Sequence, residues 1–214
     1  MKLDIARHIG AVGRLVEDRE VDGKSAKVVI ASRAYDTDID DLWDALTSGE
    51  RIPRWFLPVT GDLKLGGRYQ LQGNAGGTIT ACEPPRRLAL TWEFGGDVSW
   101  VTVTLKADGK QTRLELEHVA HVKPEFWNRF GPGAVGVGWE GGLMGLAEYT
   151  ASGTAIERKE ADAWQTSDEG KAFYRASGEL WGRADALNGT DEAEARTRAA
   201  RTIAFYCGES PPAE

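Results

Sequence analysis

The sequence predicts an α+β fold: a curved antiparallel sheet wrapped on one long C-terminal helix, with an extra α-helical tail. Three observations carry this. A period-two pattern broken by Gly turns runs from Asp62 to Ala120. A helical stripe of Val135, Trp139, Leu143, Leu146 and Thr150 follows it. From about residue 155 the texture shifts to Ala and charge. A meander with one apolar face needs a cover, and the long helix is the element available to supply it.

Taken in order, residues 10–35 read as a hairpin with Asp22-Gly23-Lys24 at its turn. Ile39, Leu42, Trp43 and Leu46 then share one helical face behind the cap candidates Asp36, Thr37 and Asp38. Ser48 can cap a short helix carrying Ile52, Trp55 and Phe56, with Pro53 in its first turn. In the meander, Gly66-Gly67 opens a strand that alternates Tyr69 and Leu71 against Arg68, Gln70 and Gln72. Thr78 to Glu83 follows, and Pro84-Pro85 breaks the chain. Leu88, Leu90, Trp92 and Phe94 alternate next, then Val101, Val103 and Leu105, then Leu114, Leu116, His118 and Ala120. Gly95-Gly96-Asp97 and Asp108-Gly109-Lys110 supply the turns between these strands.

Residues 121–131 read as a loop holding Phe126, Trp127 and Phe130. The helix after it contains Gly136, Gly138, Gly141, Gly142 and Gly145. Each Gly costs about 1 kcal/mol relative to Ala, so tertiary packing must hold this helix. In the tail, Ser167 can cap a helix to Leu187 with Phe173, Ser177, Leu180, Trp181, Ala184 and Leu187 on one face. Thr190 can cap a last helix, and the end, GESPPAE, is expected to fray. The expected division is a helix-grip domain over 1–153 and a helical C-terminal extension over 154–214.

Composition bounds the function. The chain has 214 residues, 33 acids against 26 bases, a net charge of −7 and eight Trp. That charge offers no electrostatic footprint for nucleic acid or an anionic membrane. The longest weakly polar stretch, Ala134 to Ala147, is interrupted by Glu140 and too short to span a bilayer. The start, MKLDIARHIG, lacks an apolar signal segment, and Cys82 and Cys207 share no metal or disulfide-framework spacing. The expectation is a reduced cytoplasmic protein.

The runs RIPRWFLPVTGDLKLGGRYQL, GGTITACEPPRRLALTWEF, TRLELEHVAH and GVGWEGGLMGLAEY resemble a known family. They are similar to the stand-alone bacterial homologues of the C-terminal domain of the heat-shock-protein-90 ATPase activator. These belong to the START-like (SRPBCC) superfamily. The marks are Trp55, Gly66-Gly67, the P-x-R-L-x-L-T-W of Pro85–Trp92, the L-x-L-x-H of 114–118 and the G-W-x-x-x-L-x-x-L of 138–146. The resemblance covers roughly residues 25–152. It implies a helix-grip fold with a cavity between sheet and long helix, a small apolar ligand there, and a stress-response association. The superfamily also holds co-chaperone modules and cyclases. The eukaryotic activator has a separate chaperone-binding domain, and only about 24 residues precede the resemblance here.

The expected lining is Trp55, Tyr69, Leu71, Leu90, Trp92, Phe94, Val103, Leu116, His118, Trp127, Phe130, Trp139 and Leu143. A packed core is the plain alternative. His118 stands out as a polar residue on an apolar face, fit for an anchor or a general base, against the simpler role of a hydrogen-bonded interior histidine. His118 and His121 lack a third ligand at credible spacing, so no metal is expected. The Gly131–Gly136 run satisfies G-x-G-x-x-G, yet follows an antiparallel meander and reads as the turn into the long helix. Asp36, Asp38, Asp40 and Asp41 read as capping and helix-dipole residues. No nucleophile–base motif is visible, so no catalytic residue and no cofactor are expected. The partner expected is a small apolar molecule, with a homodimer or protein partner through the tail as a further expectation.

Overall fold

The computed structural model describes residues 3–211 of the chain. The expectation of a frayed end falls in part on residues 212–214, which lie outside the described residues. The architecture is the α+β helix-grip type. Its strands are β1 (Gly13–Val21), β2 (Lys24–Tyr35), β3 (Val59–Gly61), β4 (Arg68–Leu71), β5 (Gly76–Glu83), β6 (Arg87–Phe94), β7 (Asp97–Asp108) and β8 (Gln111–Ala120). They form one sheet in the order β1-β2-β8-β7-β6-β5-β4-β3, and the pairs from β3 to β8 are antiparallel. The helices among the described residues are α1 (Ile5–Gly10), α2 (Ile39–Thr47), α3 (Pro124–Phe130), α4 (Gly133–Ser152), α5 (Arg158–Thr166), α6 (Asp168–Leu187) and α7 (Glu192–Cys207). A 3-10 turn occupies Ile52–Arg54.

The chain divides into two compact units. The first comprises Met1–Ala31, His121–Gly141 and Glu157–Glu214; the second comprises Ser32–Ala120 and Gly142–Ile156. Residues 154–214 therefore contribute α5, α6 and α7 to a unit that also holds β1, α1, α3 and the start of α4.

The first unit is built on helix faces. Ser167 caps α6 as expected, its hydroxyl accepting from the Gly170 N–H at 3.1 Å. Phe173, Ser177, Trp181 and Ala184 are buried at helical spacing along α6. Leu187, expected on the same face, is 90% exposed, because it lies at the last position before the Asn188-Gly189 turn. α7 is capped by Asp191 rather than Thr190, whose hydroxyl donates instead to Asp185 at 2.9 Å. Residues 124–130, expected as part of a loop, form α3, which begins at Pro124 and ends at Gly131 with φ +60°. Only glycine adopts that conformation at low cost. Thr202 of α7 donates to the Phe130 carbonyl at 2.7 Å, which fixes the turn into α4.

Two buried ion pairs tie this unit together. Arg14 of β1 holds Glu140 of α4 through Nε–Oε1 at 2.5 Å and Nη2–Oε2 at 2.7 Å. Arg198 of α7 holds Asp185 of α6 at 3.0 Å. Removing one partner of such a pair strands a charge in a dry interior, at about 3–5 kcal/mol.

The second unit is built on strand alternation. Register aligns Leu88 with Val103 and Leu116, and Leu90 with Val101 and His118. α2 is capped by Asp38, which accepts from the Asp41 N–H at 2.8 Å. Arg51 fastens the following turn by contacts to Asp41 at 2.8 Å, Asp44 at 2.9 Å and the Tyr149 hydroxyl at 3.0 Å. Tyr35 donates to the Leu143 carbonyl at 3.1 Å, which attaches the end of β2 to α4. Gly145 of α4 has a steric reason here. A side chain at Gly145 would come within 2.7 Å of the Trp55 carbonyl oxygen.

Candidate functional site

The inward face of the second unit gathers most of the expected lining. Tyr69, Leu71 and Ile79 form a buried cluster. Around it pack Phe56, Leu57, Val59, Leu63, Cys82, Leu88, Leu90 and Trp92, each only partly buried. Across the sheet, Val101, Val103, Leu105, Leu114 and Leu116 are buried to 8% exposure or less. The face is thus closed on β7, β8 and the Tyr69–Leu71–Ile79 cluster, and half-open where Leu88, Leu90 and Trp92 of β6, Cys82 of β5 and the Phe56–Leu63 segment pack around that cluster. Tyr69 is held in place by its hydroxyl, which donates to the Thr91 carbonyl at 2.8 Å. Burial pushes its pKa upward, so it stays neutral.

His118 brings the one ionisable imidazole to this face. Its Nε2 lies 2.8 Å from Ser99 Oγ, and that hydroxyl donates to the Trp92 carbonyl at 3.1 Å. A hydroxyl has a single proton, so Nε2 is the donor to Ser99. The Trp92 ring stands edge-on to the imidazole, with centroids 6.3 Å apart. Desolvation lowers the His118 pKa to about 4, so the ring is neutral near pH 7. The result is a polar, uncharged spot in an apolar wall. Such an arrangement orients a ligand without demanding a counter-ion.

Of the thirteen expected lining residues, ten lie in the second unit: Trp55, Tyr69, Leu71, Leu90, Trp92, Phe94, Val103, Leu116, His118 and Leu143. Trp55 stacks on Phe56 at 5.3 Å and donates its indole N–H to the Ala45 carbonyl at 2.9 Å. Phe94 departs from its expected place. It holds the inward register two residues beyond Trp92, but the hairpin tip leaves it 59% exposed. Trp127, Phe130 and Trp139 belong to the first unit. There Trp127 is buried beneath the Lys27 ammonium, 5.0 Å from the ring centroid. Phe130 packs between Phe126 and Phe205, with centroids 5.2 and 6.2 Å away.

Sequence reasoning missed Ser99, Ile79 and the segment from Phe56 to Leu63. Ser99 could have been found by its register, two residues before Val101 on the same face. The Phe56–Leu63 segment lies mostly outside regular structure, so no period marks it. Among the described residues no group of three or more His, Cys, Asp or Glu could hold a metal ion. No helix among them is long and apolar enough to cross a membrane.

Comparisons with known proteins agree with this fold. The chain is similar to CalU16 from Micromonospora echinospora in its crystal structure, with 34% identity, 82% of this chain and 99% of that one covered, and a TM-score of 0.67. The solution structure of CalU16 gives 35% identity, 83% and 94% coverage, and a TM-score of 0.68. A protein from Mesorhizobium loti shares the fold at 23% identity, covering 60% of this chain and 99% of its own, with a TM-score of 0.53. No curated protein matches. The model of the family described as activator of Hsp90 ATPase homolog 1-like protein matches residues 36–151, more than half of the chain. The chain belongs to the family of activator of Hsp90 ATPase homologue 1-like proteins.

Proposed function

We propose that the protein binds a small hydrophobic or aromatic molecule on the inward face of the second unit. One observation carries this reading. Eight apolar side chains, from Phe56 to Trp92, surround the Tyr69–Leu71–Ile79 cluster and are still only partly buried. An ordinary core closes such groups off, at a gain of about 25 cal/mol per Å² of apolar surface. A ligand that covers Leu88, Leu90 and Trp92 gains that same free energy. The neutral His118–Ser99 pair supports an orienting role beside this surface.

Phenylnaphthylamine, an uncharged dye that brightens in apolar surroundings, tests the proposal. Saturable binding near one dye per chain is expected. Leu90→Trp, which fills the half-open face, should weaken it at least about tenfold, a loss of about 1.4 kcal/mol. Absence of saturable binding, or equal binding by a folded Leu90→Trp variant, contradicts the proposal. The family description favours a second reading, that of a co-chaperone acting on a chaperone ATPase. A change in the ATPase rate of a bacterial Hsp90 on adding the protein would support that reading, and no change would exclude it for that chaperone.

A further inference from the structure

The interior of the first unit contains a polar arrangement that the proposed ligand face does not use. Ser177 and Trp181 stand one turn apart on the buried face of α6, both fully enclosed at 0% exposure. Neither Ser177 Oγ nor Trp181 Nε1 meets a hydrogen-bond partner among the described residues. A buried polar group left in this condition costs about 1–3 kcal/mol, and two in succession on one helix face call for a physical reason.

Helix directions show what lies opposite. Gly133 and Gly138 of α4 face Thr202 and Tyr206 of α7, so those helices run parallel. Gly178 and Gly182 of α6 face Ile203 and Ala199 of α7, so those run antiparallel. Hence α6 runs antiparallel to α4. The Trp181 indole lies against Gly136, where an added Cβ would fall 2.3 Å from Cε2 and 2.6 Å from Nε1. By these directions, one turn back along α6 from Trp181 to Ser177 corresponds to one turn forward along α4 from Gly136 to Glu140. Glu140 is buried, and Arg14 engages each of its oxygens once. A carboxylate oxygen accepts about two hydrogen bonds, so acceptor capacity remains on both.

The chemistry selects the occupant. The indole N–H only donates, so the occupant must accept. A metal cation has no lone pair to offer it. An anion would face the Glu140 carboxylate. What is left is a small neutral molecule that both accepts and donates. We propose that a buried water molecule accepts from Trp181 Nε1–H, hydrogen-bonds the Ser177 hydroxyl and donates to the Glu140 carboxylate. An enclosed water with two to four polar partners is a recurring structural element. Here it joins α6 to the Arg14–Glu140 pair and completes the solvation of that buried charge.

Water-selective NOE and ROE spectra of the intact protein test this, with the Trp181 indole proton assigned by its loss in Trp181→Phe. The expected result is a cross-peak from that proton to the water resonance with opposite signs in the two spectra. Opposite signs mark dipolar transfer from a retained water rather than proton exchange. A resolved Trp181 indole proton without such a peak overturns the proposal. Ser177→Ala should lose the cross-peak while the other indole resonances stay in place. Full intensity in that variant overturns the bridge.

Discussion

Trp181 and Trp92 show how differently the two units use the same side chain. Trp181 is completely enclosed on α6, laid flat against Gly136 in the first unit. Trp92 sits on β6 in the second unit, packed against the Tyr69–Leu71–Ile79 cluster yet only partly buried. The first unit encloses the Phe173–Trp181 face of α6 and carries two buried ion pairs, while Phe126, Leu187 and Phe205 stay exposed elsewhere in it. The second closes β7, β8 and the Tyr69–Leu71–Ile79 cluster and leaves Leu88, Leu90 and Trp92 of β6 half-open beside them. Enclosure of Trp181 serves stability, and binding capacity is proposed for the half-open surface at Trp92.

The largest expected effects break the closed region. Trp181→Ala should destabilise the protein by about 3–5 kcal/mol, since the cavity adds to the lost transfer free energy. Trp92→Ala should cost well under half of that in a denaturant titration, while it removes dye binding. Equal losses from both would erase the contrast. Glu140→Ala should also cost about 3–5 kcal/mol, because it leaves Arg14 buried without its carboxylate.

The pH response sharpens the comparison from the open side. The folded His118 pKa lies near 4, below the ordinary value of 6.5. Between those values the unfolded chain binds the proton and the folded chain does not, so stability rises with pH there. The contribution of His118 is complete above about pH 6.5 and is lost as pH falls toward 4. His118→Gln should flatten that slope in urea titrations at a series of pH values. An unchanged slope would show that the histidine is solvated. The smallest effect concerns a cap. Asp191→Ala removes acceptors for the Ala193 and Glu194 N–H groups and should cost about 1 kcal/mol by thermal unfolding.

Much of the sheet was legible because alternation reports directly which strand residues share a face. Tyr69 and Leu71, Leu88 to Trp92, Val101 to Leu105 and Leu114 to His118 fall where that rule puts them. The misses have specific causes. α1 and α3 have 6 and 7 residues, too few for a helical period to stand out, and α5, as long as α2, buries Trp164 alone and so shows no apolar stripe. Phe94 obeys the alternation, but Gly95 and Gly96 turn the chain at φ +61° and +87° and leave it in solvent. Glu140 read as an interruption of an apolar helix because its partner Arg14 is 126 positions away. Pattern reports faces, whereas long-range pairs and the degree of enclosure arise only on folding.

Methyl-resolved NMR during a phenylnaphthylamine titration tests the central claim most directly, because it reads both units at once. The account predicts saturable shifts at Ile79, Leu88, Leu90 and Val101, with Ile203 of the first unit unmoved. Shifts confined to Ile203 and its neighbours, or no saturable shift at any methyl, would contradict it.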